Sequence, residues 1–564
     1  MRSIRFALVC LLLAAGCGGA PAPLVCPAGT TPRAGACVEE GDGGLVEPPD
    51  ASPLGQGDAG DSPELDAGVP LDAPPACEPD GAIDVPDERF TDSDCDGIDG
   101  SIDEAVFVSP MGDDSEGGEI GSPVRSIERA LAIASATGRA QVLIASGFYE
   151  EQLALVPGVG LFGGYDAESW ARSETRPVLR AAGPVVTGRD IDEPTVLSLL
   201  RIEANHASEP GSSSIGVMLV RSSAVRLEGV EVQAGLGAPG ASLLRPSAPA
   251  AATNGARGGG GLMNGYCPGY TVGSVLPERG AGGVAACGCS GGGQGGTAGR
   301  FSGSSASVGG RGLAWVTAGV CRPEEGPRGG FAGAGGAGGT GTDGAVGAPG
   351  TNGLGAGPVG TFGESGYVPA SGTAGSRGAQ GQGGGGGGGG DSSCAFDGDA
   401  FCVASGGAGG GGGAGGCGGE GGSGGQGGGA SVALYLWSSS PTLVRVTLRS
   451  ADGGAGGDGA RGGEGGQGGQ GGPGGPAYSG RRCVSGASHA GGVGGRGGAG
   501  GEGGGGGGGS GGPSIGVVFG AGSAQGDGSV GVSIATGAGG MRGAGGSSAA
   551  SGENGAAFPT LTVE

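Results

Sequence analysis

Between positions 406 and 429 the sequence divides into Gly-Gly-X triplets: GGA, GGG, GGA, GGC, GGE, GGS, GGQ and GGG. A second set starts at Gly453 (GGA, GGD, GAR, GGE, GGQ, GGQ, GGP, GGP) and a third at Gly491 (GGV, GGR, GGA, GGE). Period three belongs to the left-handed extended helix with about three residues per turn and about 3.1 Å rise, which glycine adopts as readily as proline. Two of its three faces then carry no side chain. Bare faces let backbones approach and hydrogen-bond sideways. The tracts are therefore expected to form polyglycine II bundles, with Glu420, Gln426, Asp458, Glu464, Gln467, Gln470 and Glu502 pointing into water. Collagen and a flexible coil are the competing readings. Collagen needs three chains and much more proline than the 35 residues present, although "GTGTDGAVGAPGTNG" from Gly339 keeps Gly at every third place. A glycine-rich coil has no reason to keep a period.

Glycine makes up 153 of 564 residues, hydrophobic residues 36% and aromatics 4%. That balance argues against a large conventional core, and the apolar residues must be concentrated somewhere. They concentrate in three copies of one pattern: "SIGVMLVRSSAVRLEGVEVQAGLG" from Ser214, "SVALYLWSSSPTLVRVTLRSADGG" from Ser431 and "SIGVVFGAGSAQGDGSVGVSIATG" from Ser514. Each opens with alternating apolar residues (Ile215, Val217, Leu219; Val432, Leu434, Leu436; Ile515, Val517, Phe519). Each closes with another alternating pair (Val230, Val232; Val446, Leu448; Val532, Ile534). Alternation turns one face inward, and a copy this short cannot bury that face alone. Stacked copies can. The copies read as successive coils of an all-β solenoid, and the glycine tracts as excursions from one edge of the stack.

Ahead of the repeats, Ile127, Ala130, Leu131 and Ala134 fall at helical spacing between Pro123 and Gly138, which predicts a short amphipathic helix. The runs "QVLIASG", "EQLALV" and "VGLFGGY" read as strands. The segments "VFVSPMGDD", "SPVRSIERAL", "VLIASGFYEE" and "VGLFGGY" resemble the N-terminal portion of a family in the pectate-lyase-like superfamily. That resemblance implies a right-handed parallel β-helix whose open end is capped by the helix, and it says nothing about activity. The glycine tracts are similar to the glycine-repeat, PGRS-type domains of mycobacterial surface proteins.

The N-terminus, "MRSIRFALVCLLLAAGCGG", places Arg2 and Arg5 before a short apolar run and reads as an export signal. Its end, Leu13-Ala14-Ala15-Gly16-Cys17, resembles a bacterial lipoprotein signal, which implies acylation at Cys17 and an outer-membrane or cell-surface position. The alternative is ordinary cleavage near Ala20 and release of a soluble protein. Export into an oxidising compartment makes the remaining cysteines disulfide candidates: Cys26, Cys37, Cys77, Cys95, Cys267, Cys287, Cys289, Cys321, Cys394, Cys402, Cys417 and Cys483. Local bonds between Cys26 and Cys37 and between Cys77 and Cys95 are the plain reading, but sequence does not fix connectivity.

The formal charge of −25 is localised, with 21 Asp and Glu against Arg89 alone between positions 39 and 104. Such a balance repels nucleic acid. The expected organisation is a signal (1–16), an acidic Pro- and Gly-rich tether (17–91), an Asp-rich loop (92–104), and a cap with the first coils (105–234). A glycine-rich insertion (235–430), a coil (431–449), a second insertion (450–513), and a last coil with the tail (514–564) follow.

The absence of Lys excludes a phosphate-loop or Schiff-base lysine. In "DSDCDGIDGSIDE", Asp92, Asp94 and Asp96 take positions 1, 3 and 5 of a calcium loop, Gly97 the turn and Asp103 position 12, with Asp99 between. The closer resemblance is to short Asp/Cys metal-binding motifs of bacterial surface proteins. Hard oxygen ligands favour Ca2+ over copper. An acidic, disulfide-closed turn without metal is the competing reading. No catalytic residues are assigned. The expected function is a non-enzymatic lipoprotein for display or adhesion, held to the membrane by its lipid and facing cell-surface glycans or proteins. The alternative, a polysaccharide lyase or hydrolase on the same scaffold, has only Arg226, Glu228, Glu231, Arg445 and Arg449 on the repeats to work with.

Overall fold

The computed structural model describes residues 83–564 except positions 268–269, 272–275, 288–289, 300–305, 317–319, 323–326, 334–335, 393–401 and 480–487, together with 30–33, 36–39, 79 and 81. The chain divides into two compact units, 1–75 and 76–564. In the first, Thr30–Arg33 pairs antiparallel with Ala36–Glu39. This pair lies inside the stretch expected to be a plain tether; two connecting residues including Gly35, between Thr- and Val-bearing runs, are the signal that reading passed over.

The second unit is all-β with one helix among the described residues, Ile127–Thr137. Its N-cap Ser126 accepts from Arg129 N at 3.2 Å and left-handed Gly138 closes it. The Glu151 carboxylate holds the first free N–H groups, Ile127 N at 2.9 Å and Glu128 N at 2.8 Å. Ile127, Ala130, Leu131 and Ala134 are buried, as the spacing predicts.

Eighteen strands form three six-stranded sheets in which every pairing is parallel. The first sheet runs Ala105–Val108, Gln141–Ala145, Gly160–Tyr165, Thr195–Ser198, Val225–Glu228, Thr442–Val444. The second runs Phe148–Tyr149, Val178–Ala181, Arg201–Ala204, Glu231–Gln233, Thr447–Arg449, Ser533–Ala535. The third runs Leu153–Ala154, Val186–Arg189, Ser214–Val220, Ser431–Trp437, Ser514–Gly520, Ala557–Val563. From Gln141 to Arg449 these strands fall on the three sheets in turn; the third repeat places strands on the third and second sheets and meets the first only through the bridge between Val530 and Val444. Ser214, Ser431 and Ser514 lie side by side, as do Val232, Leu448 and Ile534.

Alternation located the strands but assigned one position in each repeat to the wrong side. Val217, Leu219, Leu434, Leu436 and Val517 join the interior with Leu161, Leu197, Leu227 and Leu443. Ile215, Val432 and Ile515 instead belong to a second cluster with Met218, Tyr435 and Val518 on the outward face of the third sheet. The pairing skips Gly216, Ala433 and Gly516, and the alternation shifts there.

Two serine ladders link successive repeats at the ends of the third and second sheets. Ser222 Oγ accepts from Ile191 N (3.1 Å), Ser439 Oγ from Ser222 N (2.9 Å), and Ser523 Oγ from Ser439 N (2.9 Å). At the second-to-third-sheet corner, Ser214 Oγ accepts from Gly235 N and Ser431 Oγ from Ala451 N, both at 2.9 Å, while Ser514 Oγ donates to Ala451 O at 2.7 Å. The glycine excursions leave at this corner.

The excursions are extended legs hydrogen-bonded side by side: 235–262, 278–285, 290–299, 306–313, 327–333, 336–358, 369–391, 404–430, 450–479, 488–513, 536–546 and 549–556. In leg 404–430 all eleven N–H groups from Gly406 to Gly416 donate to other legs. Their direction rotates with period three. Gly407, Gly410, Gly413 and Gly416 donate to leg 488–513; Ala408, Gly411 and Ala414 to leg 235–262; and Gly409, Gly412 and Gly415 to leg 290–299.

Legs 369–391, 404–430 and 488–513 are each bonded to six neighbouring legs. These three hold the longest pure glycine runs, 383–390, 409–413 and 503–509. A methyl group at Gly411, Gly388 or Gly508 would lie 1.9, 1.9 or 2.1 Å from the carbonyl oxygen of Ala281, Phe331 or Gly543. Where the covering leg ends, the same face takes a side chain: Glu420, Gln382 and Glu502 respectively. The outward expectation holds for Glu420, Asp458, Glu464, Gln467, Gln470 and Glu502. Gln426 is half-buried, accepting from Ala241 N at 3.2 Å and donating to Pro210 O at 3.0 Å.

Candidate functional site

Residues 83–104 lie against the outward face of the first sheet, where Ile98 and Ile102 join Phe107, Leu143, Phe162, Tyr165 and Trp170. The buried Arg172 fixes them: its Nη1 is 2.8 Å from Asp99 Oδ2 and 3.0 Å from Asp87 O, and its guanidinium lies 5.4 to 5.8 Å from the ring centroids of Tyr165, Phe90 and Phe162. Tyr165 donates to Asp99 O at 2.5 Å and Gln141 Nε2 to Asp84 O at 2.6 Å.

Of the five predicted metal ligands, Asp92 and Asp94 come together, and a third acid, Asp84, joins them. One carboxylate oxygen from each lies within 4.8 Å of the others. Asp84 is buried and accepts from Ser93 N (3.3 Å), Ser93 Oγ (2.7 Å) and Gly100 N (2.9 Å). Asp92 accepts from Asp96 N and Gly97 N at 3.1 and 3.0 Å. Burial, reinforced by the charges of Asp96 and Asp84, pushes the Asp94 carboxyl above its usual range. Three hard oxygens in mutual repulsion are a donor set suited to a divalent cation. The other acids lie elsewhere. Asp99 pairs with Arg172, Asp96 accepts from Ile98 N and Ile102 N (3.1 and 2.7 Å), and Asp103 is exposed. Sequence reasoning missed Asp84 because no twelve-residue loop spacing reaches back to it.

Among the cysteines, Cys287 and Cys417 form a disulfide across 130 residues, joining the end of leg 278–285 to leg 404–430. Cys95 is also disulfide-bonded. Cys37, Cys267, Cys321 and Cys402 fall in strands of described backbone. Cys17, Cys26, Cys77, Cys289, Cys394 and Cys483 lie outside the described residues.

Chain segments cover much of two of the three outward sheet faces. The strap 83–104 covers part of the first, and the hairpin Thr361–Gly363/Gly366–Val368 sets Phe362 and Tyr367 on Tyr435 of the third. On the second sheet two polar rows stand open, Arg201–Glu231–Thr447–Ser533 and Arg180–Glu203–Gln233–Arg449. Arg180 Nε (3.0 Å) and Arg201 Nε (2.7 Å) share Glu203. Two shallow cavities of about 170 and 290 Å3 adjoin at Gln233, the larger walled by Asn205, His206 and Ala451 at the root of the legs. Phe148, 68% exposed, stands at the end of the face with Arg180 over its ring.

One carboxyl pair occurs on the first sheet. Glu88 bonds Arg445 and also Glu228; burial and then that bond push Glu228 up, while Glu88 is held down by the same bond and by Arg445. The two carboxyls are directly hydrogen-bonded to each other. Paired carboxyls of glycoside hydrolases stand about 5 Å or more apart, with the sugar between them. No helix among the described residues is long and apolar enough to cross a membrane. No family model, curated protein or solved structure matches the chain.

Proposed function

We propose that this protein is a non-enzymatic, surface-anchored lipoprotein for display or adhesion. It is built on a right-handed parallel β-helix that carries a polyglycine II flange, tethered through lipid at Cys17 and 17–91. The observation that carries the reading is the use of the chain. Its longest legs extend the scaffold outward chiefly by backbone hydrogen bonds, and the chemically varied open face is the second sheet at the flange root. The partner is a cell-surface glycan laid across Arg201, Gln233, Thr447 and Arg449, with Phe148 as a stacking platform. Calcium held by Asp84, Asp92 and Asp94 stiffens the strap.

The test has two arms. Mass spectrometry of the mature N-terminus should find diacylglyceryl-Cys17, and Cys17→Ala should release the protein from membranes. Purified protein should bind insoluble polysaccharide, with Gln233→Ala/Arg449→Ala reducing binding at least tenfold. Release of reducing ends or unsaturated sugar products would favour the lyase or hydrolase reading. An unacylated cytosolic protein would overturn the proposal.

A further inference from the structure

Several Asp-Gly and Asn-Gly dipeptides on the legs grip a single residue of the next parallel leg from both sides. Gly344 N donates to Arg496 O at 2.7 Å while Asp343 Oδ1 accepts from Arg496 N at 2.7 Å. Gly353 and Asn352 hold Gly505 in the same way, each at 2.8 Å. Gly255 and Asn254 hold Gln470 at 2.8 and 2.7 Å. Gly453 and Asp452 hold Ala538 at 2.9 and 2.7 Å, and Gly459 and Asp458 hold Ala544 at 2.8 and 2.7 Å.

The groups gripped are the ones a further leg would use. On leg 488–513, Gly508 N and Gly511 N donate to Ala550 O and Glu553 O of leg 549–556, both at 2.9 Å. Gly505 and Arg496 face the same way by the three-residue period, but beyond the end of that leg, and there a side-chain oxygen stands in for the missing carbonyl. On legs 450–479 and 536–546 the capped amides belong to a phase that no described leg carbonyl takes, and Asn254 Oδ1 accepts there from Gln470 N, as Asp452 Oδ1 and Asp458 Oδ1 do from Ala538 N and Ala544 N. An uncapped row of N–H groups is a template for another chain, as at a sheet edge.

We propose that these Asx-Gly dipeptides are edge caps, which interrupt the outward donor rows of legs 488–513, 450–479 and 536–546 against addition of a leg from a second copy of this chain. The side-chain oxygen satisfies the outward donor, and its Cβ occupies the space that a bare leg needs.

The test uses the whole mature chain with Asp343→Gly, Asn352→Gly and Asn254→Gly together. Amide exchange at Arg496, Gly505 and Gln470 should accelerate at least about fivefold, the equivalent of one lost hydrogen bond. Sedimentation velocity should show concentration-dependent association that the natural chain lacks. The swaps Asp343→Asn, Asn352→Asp and Asn254→Asp keep an acceptor and should behave as the natural chain does. Single Asn352→Ala, read at Gly505, serves if the triple variant does not fold. Unchanged exchange at the gripped amides, or a natural chain that associates through its flange as readily as the stripped one, would overturn the proposal.

Discussion

At the scale of single residues, the molecule depends on where a Cβ is allowed. Gly411 and Gly508 each face a carbonyl oxygen about one bond length too close for a methyl group, so Gly411→Ala or Gly508→Ala forces legs apart. We expect a loss of about 1–3 kcal/mol for either, read as a lower denaturant midpoint. Glu502→Ala, three places along the same face as Gly505, should change stability by less than about 0.5 kcal/mol, because no leg covers it. The opposite rule applies at the corners between the third and first sheets. Asp190, Arg221, Ser438 and Ala521 stack there with φ of 55°, 49°, 49° and 49°. Left-handed backbone strains an L-residue, and the methyl side chain of Ala521 makes no polar contact in return. Ala521→Gly should therefore stabilise the protein by about 0.5–1 kcal/mol.

Among the elements, the strap and the disulfide are the two fastenings that can be cut separately. Calcium should raise the thermal midpoint of the natural protein, and Asp84→Asn should abolish that rise, while Asp103→Asn should not. Binding requires ionised carboxylates, and Asp94 titrates above the usual range, so affinity should weaken as pH falls through that raised value. Scanning calorimetry with and without Ca2+ reads the first effect, and titration with Ca2+ at several pH values reads the second. Cutting Cys287–Cys417 with serine at both positions reopens a 130-residue loop, which chain entropy values at about 4–5 kcal/mol. The loss should show as earlier exchange in legs 278–299, with the three-sheet stack unaffected.

Much of this was legible beforehand. The helix, the starts of the repeats and the period of the glycine tracts follow from spacing alone, because each is a local pattern. What was not legible depends on partners far away in sequence. The middle strands Val225–Glu228 and Thr442–Val444 are too short to alternate visibly, and Asp84 enters the acid cluster only when the chain folds back. The caps made by the Asx-Gly dipeptides likewise exist only once the neighbouring leg is in place.

At the scale of the whole second unit, sheets and slab are joined by continuous hydrogen bonding among the described residues. The second sheet continues outward as the parallel legs 235–262, 450–479 and 536–546, and the returning legs 404–430, 488–513 and 549–556 run straight into the third sheet. Such a body needs few hydrophobic residues, which reconciles an apolar fraction of 36% with a long extended shape in the legs. Lateral hydrogen bonds order the glycine tracts, and amide hydrogen exchange resolved across 406–425 in the full chain reads them. Every amide from Gly406 to Gly416 should be protected. Beyond Cys417 a three-residue alternation should follow, with Gly419, Gly422 and Gly425 protected and Gly418, Gly421 and Gly424 exchanging faster. Exchange at the random-coil rate throughout, or protection without the period, would contradict that order.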